Sequence, residues 1–225
     1  MATYTVTLSN WNSASFWSGI NEGSGGHTLD FSGLGSGYTV EFDVQSGNIT
    51  LSDGTDTYIV GDASSGGGAD AYLDGGTQLE YFSNIVGTEG NDTLVSSSGD
   101  DTLDGGGGSD TFVVGTGNET IIGGETGDDM DIVDISAADD ALNVTFTGDD
   151  AGTYTDSDGD SGSFTEVEGF FLSSGDDTID ASAATTGGVF AVGRDGDDKL
   201  TGGGGDDTFV GGAGADSLTG NDGAD

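Results

Sequence analysis

A single bulky apolar residue recurs at every ninth position from Leu94 onward: Leu94, Leu103, Phe112 and Ile121. Each stands in the middle of a three-residue stretch and is separated from the next stretch by six residues rich in glycine and aspartate. The pattern returns near the end of the chain at Leu200, Phe209 and Leu218. Side chains alternate sides along a strand, so this spacing predicts short strands with one inward residue each. The intervening glycines predict tight turns, because glycine enters positive-φ conformations without strain. A nonapeptide cannot bury its apolar residue alone and is expected to stack on copies of itself. Two turn–strand units make one coil of about 18 residues, so repeats n and n+2 lie above one another.

Residues 1–86 and 128–171 follow a different pattern. Tyr38-Thr39-Val40-Glu41-Phe42 and Leu142-Asn143-Val144-Thr145-Phe146 alternate apolar and polar residues, which reads as longer strands with one buried face. The segments LDFSGLGSGYTVEFD, GNITLSDG and LEYFSNIVGTEGNDTL are answered by VDISAADDALNVTFTG, GTYTDSDG and FTEVEGFFLSSGDDTI. They read as one duplicated β-unit spliced into the repeats. Four parts are therefore expected: an N-terminal β module and cap (1–86), a first repeat block (87–127), an inserted β module (128–171) and a second repeat block (172–225). Trp11, Phe16 and Trp17 form an aromatic cluster expected to cap the end of the stack, or to offer a partner or self-association surface. The last unit, from Gly220, stops at its sixth residue, which points to a longer natural protein.

Charge decides what the stack must contain. Asp and Glu number 42 against 2 Lys and Arg, a formal net charge of -40. That sign excludes a nucleic-acid or anionic-membrane binder. Repulsion of this size leaves two outcomes, a disordered chain or carboxylates neutralised by bound cations. Apolar residues at fixed intervals and the absence of proline favour the ordered outcome. With no cysteine and one histidine, His27, a zinc cage is not expected, and His27 reads as a loop residue. Abundant oxygen ligands select a hard cation. No stretch approaches the roughly 18 apolar residues of a membrane-spanning helix. The N-terminus has neither the basic nor the apolar region of a secretory signal peptide.

Aligned on GGxGxDxUx, with U a large apolar residue, the first block reads GTEGNDTLV, SSSGDDTLD, GGGGSDTFV and VGTGNETII, and a fifth unit begins at Gly123. Position six is Asp92, Asp101, Asp110, Glu119 and Asp128. The second block places Asp177, Asp198, Asp207, Asp216 and Asp225 there. In the same loops stand Gly87, Gly90, Gly105, Gly107, Gly123, Gly193, Gly202, Gly204 and Gly211, with Ala213 at the place that Gly107 and Gly204 take in their repeats. Stacking brings the acid of one turn against backbone carbonyls of the turn above, which supplies the 6–8 oxygens that calcium takes. Asp92 should face loop 105–110, Asp101 loop 114–119, Asp110 loop 123–128, Asp198 loop 211–216 and Asp207 loop 220–225. Asp177 has no evident partner, because 181–192 breaks the spacing, and Asp225 lacks a continuation. Glu119 departs from aspartate and is expected to weaken its site. Asp156, Asp158 and Asp160 form a DxDxD run out of register with an EF-hand loop, a solvated hairpin turn or a weaker metal site.

These repeats resemble the RTX (hemolysin-type) family of secreted calcium-binding proteins. The resemblance implies an all-β fold, a parallel β-roll or β-solenoid that binds several Ca2+ ions, with β-rich inserted modules. It also implies type I secretion, with folding on meeting external calcium. One apolar residue per nonapeptide buries too little area to order so much glycine backbone, so the roll is expected to need calcium to fold. The expected function is a secreted structural or adhesive protein, such as a surface layer, adhesin, extracellular filament or matrix protein. The alternative is a non-catalytic module of a larger RTX enzyme or toxin. Neither HExxH nor GxSxG occurs, so no enzyme is expected in this chain. A simple calcium buffer would not need the apolar column. Stacked edges also make self-association or a cell-surface partner an expectation.

Overall fold

The computed structural model describes residues 3–7, 9, 27–35, 37–43, 48–52, 57–60, 82–96, 99–124 and 129–225. Trp11, Phe16, Trp17 and Asp128 lie outside the described residues. The N-terminal part contributes β1 (Thr3–Thr5), β2 (His27–Asp30), β3 (Thr39–Asp43), β4 (Asn48–Ser52), β5 (Thr57–Val60) and β6 (Phe82–Val86). His27 is therefore the first residue of a strand, where the sequence reads as a loop. The first repeats give β7 (Thr93–Val95), β8 (Thr102–Asp104), β9 (Thr111–Val113) and β10 (Asn118–Ile122). Next come β11 (Ile132–Asp134), β12 (Leu142–Gly148), β13 (Ala151–Asp156), β14 (Ser161–Thr165) and β15 (Gly169–Phe171). The second repeats give β16 (Thr178–Asp180), β17 (Phe190–Asp195), β18 (Lys199–Thr201), β19 (Thr208–Ala213) and β20 (Ser217–Thr219).

The chain is an all-β roll, with one short 3-10 turn at Ser32–Leu34 among the described residues. From β6 to β11 successive strands alternate between two sheets, so parallel neighbours lie two elements apart. The order in one sheet is β1-β2-β6-β8-β10-β14-β13-β12-β16-β18-β20, and in the other β19-β17-β15-β11-β9-β7-β3-β4-β5. Among the described residues no helix is long and apolar enough to cross a membrane.

The repeat strands bury their middle residue, as the spacing predicts. Leu94, Leu103, Phe112 and Leu200 are fully enclosed and Ile121 nearly so. Phe209 is only partly buried, and Leu218 is 46 % exposed. Leu218 lies on β20, the outermost strand of its sheet, which pairs with β18 on one side only among the described residues.

Two antiparallel meanders interrupt this regularity, β3–β4–β5 in one sheet and β12–β13–β14 in the other. In each, the first strand pairs in parallel with the next repeat strand of its sheet, β3 with β7 and β12 with β16. The second meander is flanked on its other side by β10, which pairs with β14. Strands of 128–171 are thus hydrogen-bonded into the sheets of the repeats on both sides.

The second meander carries the densest apolar packing. Phe146 and Phe164 from one sheet meet Phe170 from the other, with ring centroids 5.0–5.9 Å apart in edge-to-face pairs. Gly152 lies opposite both Phe146 and Phe164, and a Cβ there would stand 2.6 Å from the Phe164 ring. The missing side chain is what lets the rings converge. Phe164→Ala should cost about 3–5 kcal/mol in denaturant unfolding at saturating calcium. Exposed Thr153→Ala on the neighbouring strand should stay within about 0.5 kcal/mol.

Candidate metal centre

Asp92, Asp101, Asp110, Asp177, Asp198, Asp207 and Asp216 each stand at the end of a turn, immediately before a strand, and Glu119 is the second residue of β10. Asp92, Asp101, Asp110, Glu119, Asp177, Asp198 and Asp207 are all buried. Asp216 is half-buried and Asp225 exposed, at the end of the roll where β19 and β20 are outermost.

Asp92, Asp110, Asp177, Asp198 and Asp207 each tie their own turn to the coil beneath. Asp92 accepts the N–H of Thr88 in its own loop and that of Val40 one coil below. The Oδ1 of Asp110 accepts the N–H of Asp92 at 2.7 Å across 18 residues. Equivalent bonds run from Asp198 N to Asp216 Oδ1 at 3.1 Å and from Asp207 N to Asp225 Oδ1 at 3.0 Å. The acids therefore form two columns, one at the turns entering each sheet.

The second carboxylate oxygen meets a different partner. A Cβ on Gly105 would collide with Asp110 Oδ2 and stand 2.6 Å from the carbonyl oxygen of Gly123, one coil above. Gly202 is placed in the same way against Asp207 Oδ2 and the Gly220 carbonyl, and Gly193 against Asp198 Oδ2 and the Gly211 carbonyl. A carboxylate oxygen and a carbonyl oxygen from the next coil thus crowd one spot, which only a glycine leaves open. Asp110 Oδ2, Asp198 Oδ2 and Glu119 Oε1 are buried with no hydrogen-bond partner among the described residues.

Burial without an opposite charge disfavours the ionised form. It pushes Asp110 up to about 9, with Asp92 and Asp131 adding repulsion, and Asp92 and Asp177 up to about 6. Glu119 is pushed up to about 7 by burial, against the hydrogen bond from the Tyr154 hydroxyl. Asp198 is raised for the same reason of burial.

Orphaned carboxylate oxygens, facing carbonyls and an oxygen-only donor set fit calcium. No three His, Cys, Asp or Glu side chains converge on one point among the described residues. The acids act singly or in stacked pairs with backbone carbonyls. Asp110 with the Gly123 carbonyl, Asp198 with the Gly211 carbonyl and Asp207 with the Gly220 carbonyl would hold the ion. Bound calcium supplies the positive charge that keeps these buried groups ionised.

The structure changes the expectation for Asp177 and adds two contacts that the repeat count does not give. The acid above Asp110 is Asp131, whose Oδ1 accepts the Asp110 N–H at 2.7 Å across 21 residues rather than 18. This spacing is three residues longer, and the sixth position counted from Gly123 is Asp128, outside the described residues. Aligning on Asp131-Ile132-Val133, an acid two residues before an inward apolar residue, is the signal that finds it. Asp177 has a partner after all. Its N–H donates to Asp198 Oδ1 at 2.9 Å, again across 21 residues, and its Oδ1 accepts from Leu142 N. Above Glu119 stands Tyr154, which donates to Oε2 at 3.0 Å.

The register explains Tyr154. The row Leu103–Ile121 continues through Phe164 and Gly152 to Phe146, whereas Val144, two residues earlier, pairs with Ile179. The meander slides the stack by two residues, so the row of Glu119 runs through Gly162 and Tyr154 into the apolar row of the second block.

The Asp156–Asp160 run forms the turn between β13 and β14. Asp156 Oδ1 accepts from Gly159 N at 2.8 Å and Asp160 N at 2.9 Å. Asp158 is raised first by its neighbour Asp140.

Groups raised above 3.8 or 4.5 in the fold hold protons that the unfolded chain has released. Their protonated contribution is present in acid and is lost as pH climbs through about 6 for Asp92 and Asp177 to about 9 for Asp110. Calcium-stripped protein should therefore show more β-structure by far-UV circular dichroism at pH 5 than at pH 8. Calcium affinity should run the other way, rising with pH as protons leave the ligands.

Comparison with known families supports this geometry. Residues 86–121 and 192–225 match the family described as RTX calcium-binding nonapeptide repeat (4 copies). No curated protein matches the chain. The matched residues contain Asp92, Asp101, Asp110, Glu119, Asp198, Asp207, Asp216 and Asp225. The chain carries RTX calcium-binding nonapeptide repeats, folded as a parallel β-roll.

Proposed function

We propose that this chain is an extracellular structural or adhesive roll whose repeats fold when they meet calcium. One observation carries the reading: buried position-six carboxylates, three of them with an orphaned oxygen, stand against glycine turns in a chain of net charge -40. Lys and Arg number 2, so the chain itself has almost nothing to neutralise them. A cation must come from solution, and calcium is plentiful outside cells, where extracellular modules work with dissociation constants of about 10⁻⁴–10⁻³ M. In a low-calcium compartment the same carboxylates repel and oppose compaction. The type I secretion route implied by the RTX resemblance suits such a chain, which leaves unfolded and orders on arrival.

The roll supports a structural role better than a buffering one. Its apolar column and its phenylalanine cluster hold a defined shape, which a buffer does not need. Several Ca2+ ions along the axis would stiffen it, and its exposed end strands give an edge for self-association or a surface partner.

Titration with calcium should produce a cooperative gain of β-structure by far-UV circular dichroism, and magnesium at the same concentration should not. Magnesium demands tighter octahedral geometry and gives up its waters reluctantly. Equal effects of the two ions, or a full β spectrum in chelator, would remove the case for calcium-coupled folding.

A further inference from the structure

We propose that Asp131, the carbonyl of Glu166 and the carboxylate of Glu168 form an additional calcium site inside the segment that joins the two repeat blocks. This inference rests on the calcium-binding reading above and extends it to residues that follow no repeat motif. The segment 166–168 reads Glu-Val-Glu and lies outside the residues that match the repeat family.

The site follows from three successive rungs of one column. Asp92 N donates to Asp110 Oδ1 at 2.7 Å, Asp110 N to Asp131 Oδ1 at 2.7 Å, and Asp131 N to Glu168 Oε2 at 2.8 Å. Glu168 thus stands one coil above Asp131, as Asp131 stands above Asp110. The longer glutamate side chain reaches the place that aspartate takes in the other turns.

The carbonyls repeat as well. Beside Gly87 a Cβ would meet Asp92 Oδ2 and the Gly105 carbonyl, and beside Gly105 it would meet Asp110 Oδ2 and the Gly123 carbonyl. Beside Gly123 it would collide with Asp131 Oδ2 and with the Glu166 carbonyl. Glu166 therefore supplies the carbonyl that the first glycine of a repeat supplies, with a φ of 59° that Gly105 and Gly123 do not share. Backbone bonds lock the coil in place, with Glu168 N and Gly169 N both donating to the Asp131 carbonyl at 3.2 and 3.0 Å.

The column stops one coil higher. Phe190 N donates to the Glu168 carbonyl at 2.9 Å, and the residue before it is buried Val189, which offers no carboxylate. Glu168 is thus the last acid of the first run, and Asp207 opens the next, accepting from Val189 N at 2.8 Å.

Calcium counting by isothermal titration on the whole chain tests this. Glu168→Gln keeps an acceptor for the Asp131 N–H and removes the charge, and Asp207→Asn serves as a repeat-site control. Support is a Glu168→Gln chain that binds one ion fewer than the parent, or one ion at least tenfold more weakly. Glu168→Gln matching the parent in count and affinity while Asp207→Asn falls short overturns the site and leaves the roll reading standing. Should Glu168→Gln not fold in saturating calcium, a folded Asp131→Asn one ion short of the parent supports the site, and Asp131→Asn with the full count overturns it. If Asp207→Asn also binds as the parent does, the calcium reading itself fails.

Discussion

Carboxylates buried between glycine turns, on a chain with only two basic residues, are the constraint on which this structure depends. Asp110, Asp177 and Asp198 are each about 1 % exposed. An isolated buried carboxylate is among the costliest groups a fold can hold. The cost is met locally by backbone N–H groups, which each acid gathers from its own turn or the coil below. What those bonds leave over, the orphaned second oxygen, is the part that asks for a cation. On the function proposed above, folding and metal binding are one event in this architecture, as in other domains whose site does not exist in the unfolded chain.

The glycines and the apolar column follow from the same constraint. A coil that brings a carbonyl of one turn onto the carboxylate of another needs backbones in near contact, and a Cβ at Gly105 would occupy the meeting point. Turns so rich in glycine are expensive to order. The apolar return is a single enclosed residue per repeat, such as Leu103 or Phe112. On the proposed function, calcium is the remaining source of stability for the repeats. The second meander is built on other terms: three phenylalanine rings packed edge to face, with longer strands on either side, hold it by burial alone.

That meander also sets how the two repeat blocks communicate. Its two-residue slide ends the column of Glu119 at Tyr154, while the other column passes on through Asp131 to Glu168. One side of the roll is sealed by a phenol and the other keeps its ladder of acids. The meander tip is fastened to the following coil as well, where Asp149 accepts from Thr185 and Thr186 and is held well below the usual carboxylate range by those bonds.

The repeat period by itself determined the parallel roll, the inward apolar residue of each unit and most of the acids. Those features depend on spacing along the chain, and an n+2 stack follows from nine residues per half coil. Asp92 under the 105–110 turn and Asp207 under the 220–225 turn were legible for that reason. What lies across an insertion was not. Asp131 came to stand above Asp110, Asp177 gained Asp198, and Tyr154 and Glu168 met their columns, because a loop can lengthen by three residues while the strand after it keeps its register. Hydrogen bonding between strands fixes height in the roll, and sequence distance does so only while the turns stay equal in length. Which acids stand above one another was therefore decided by the tertiary structure.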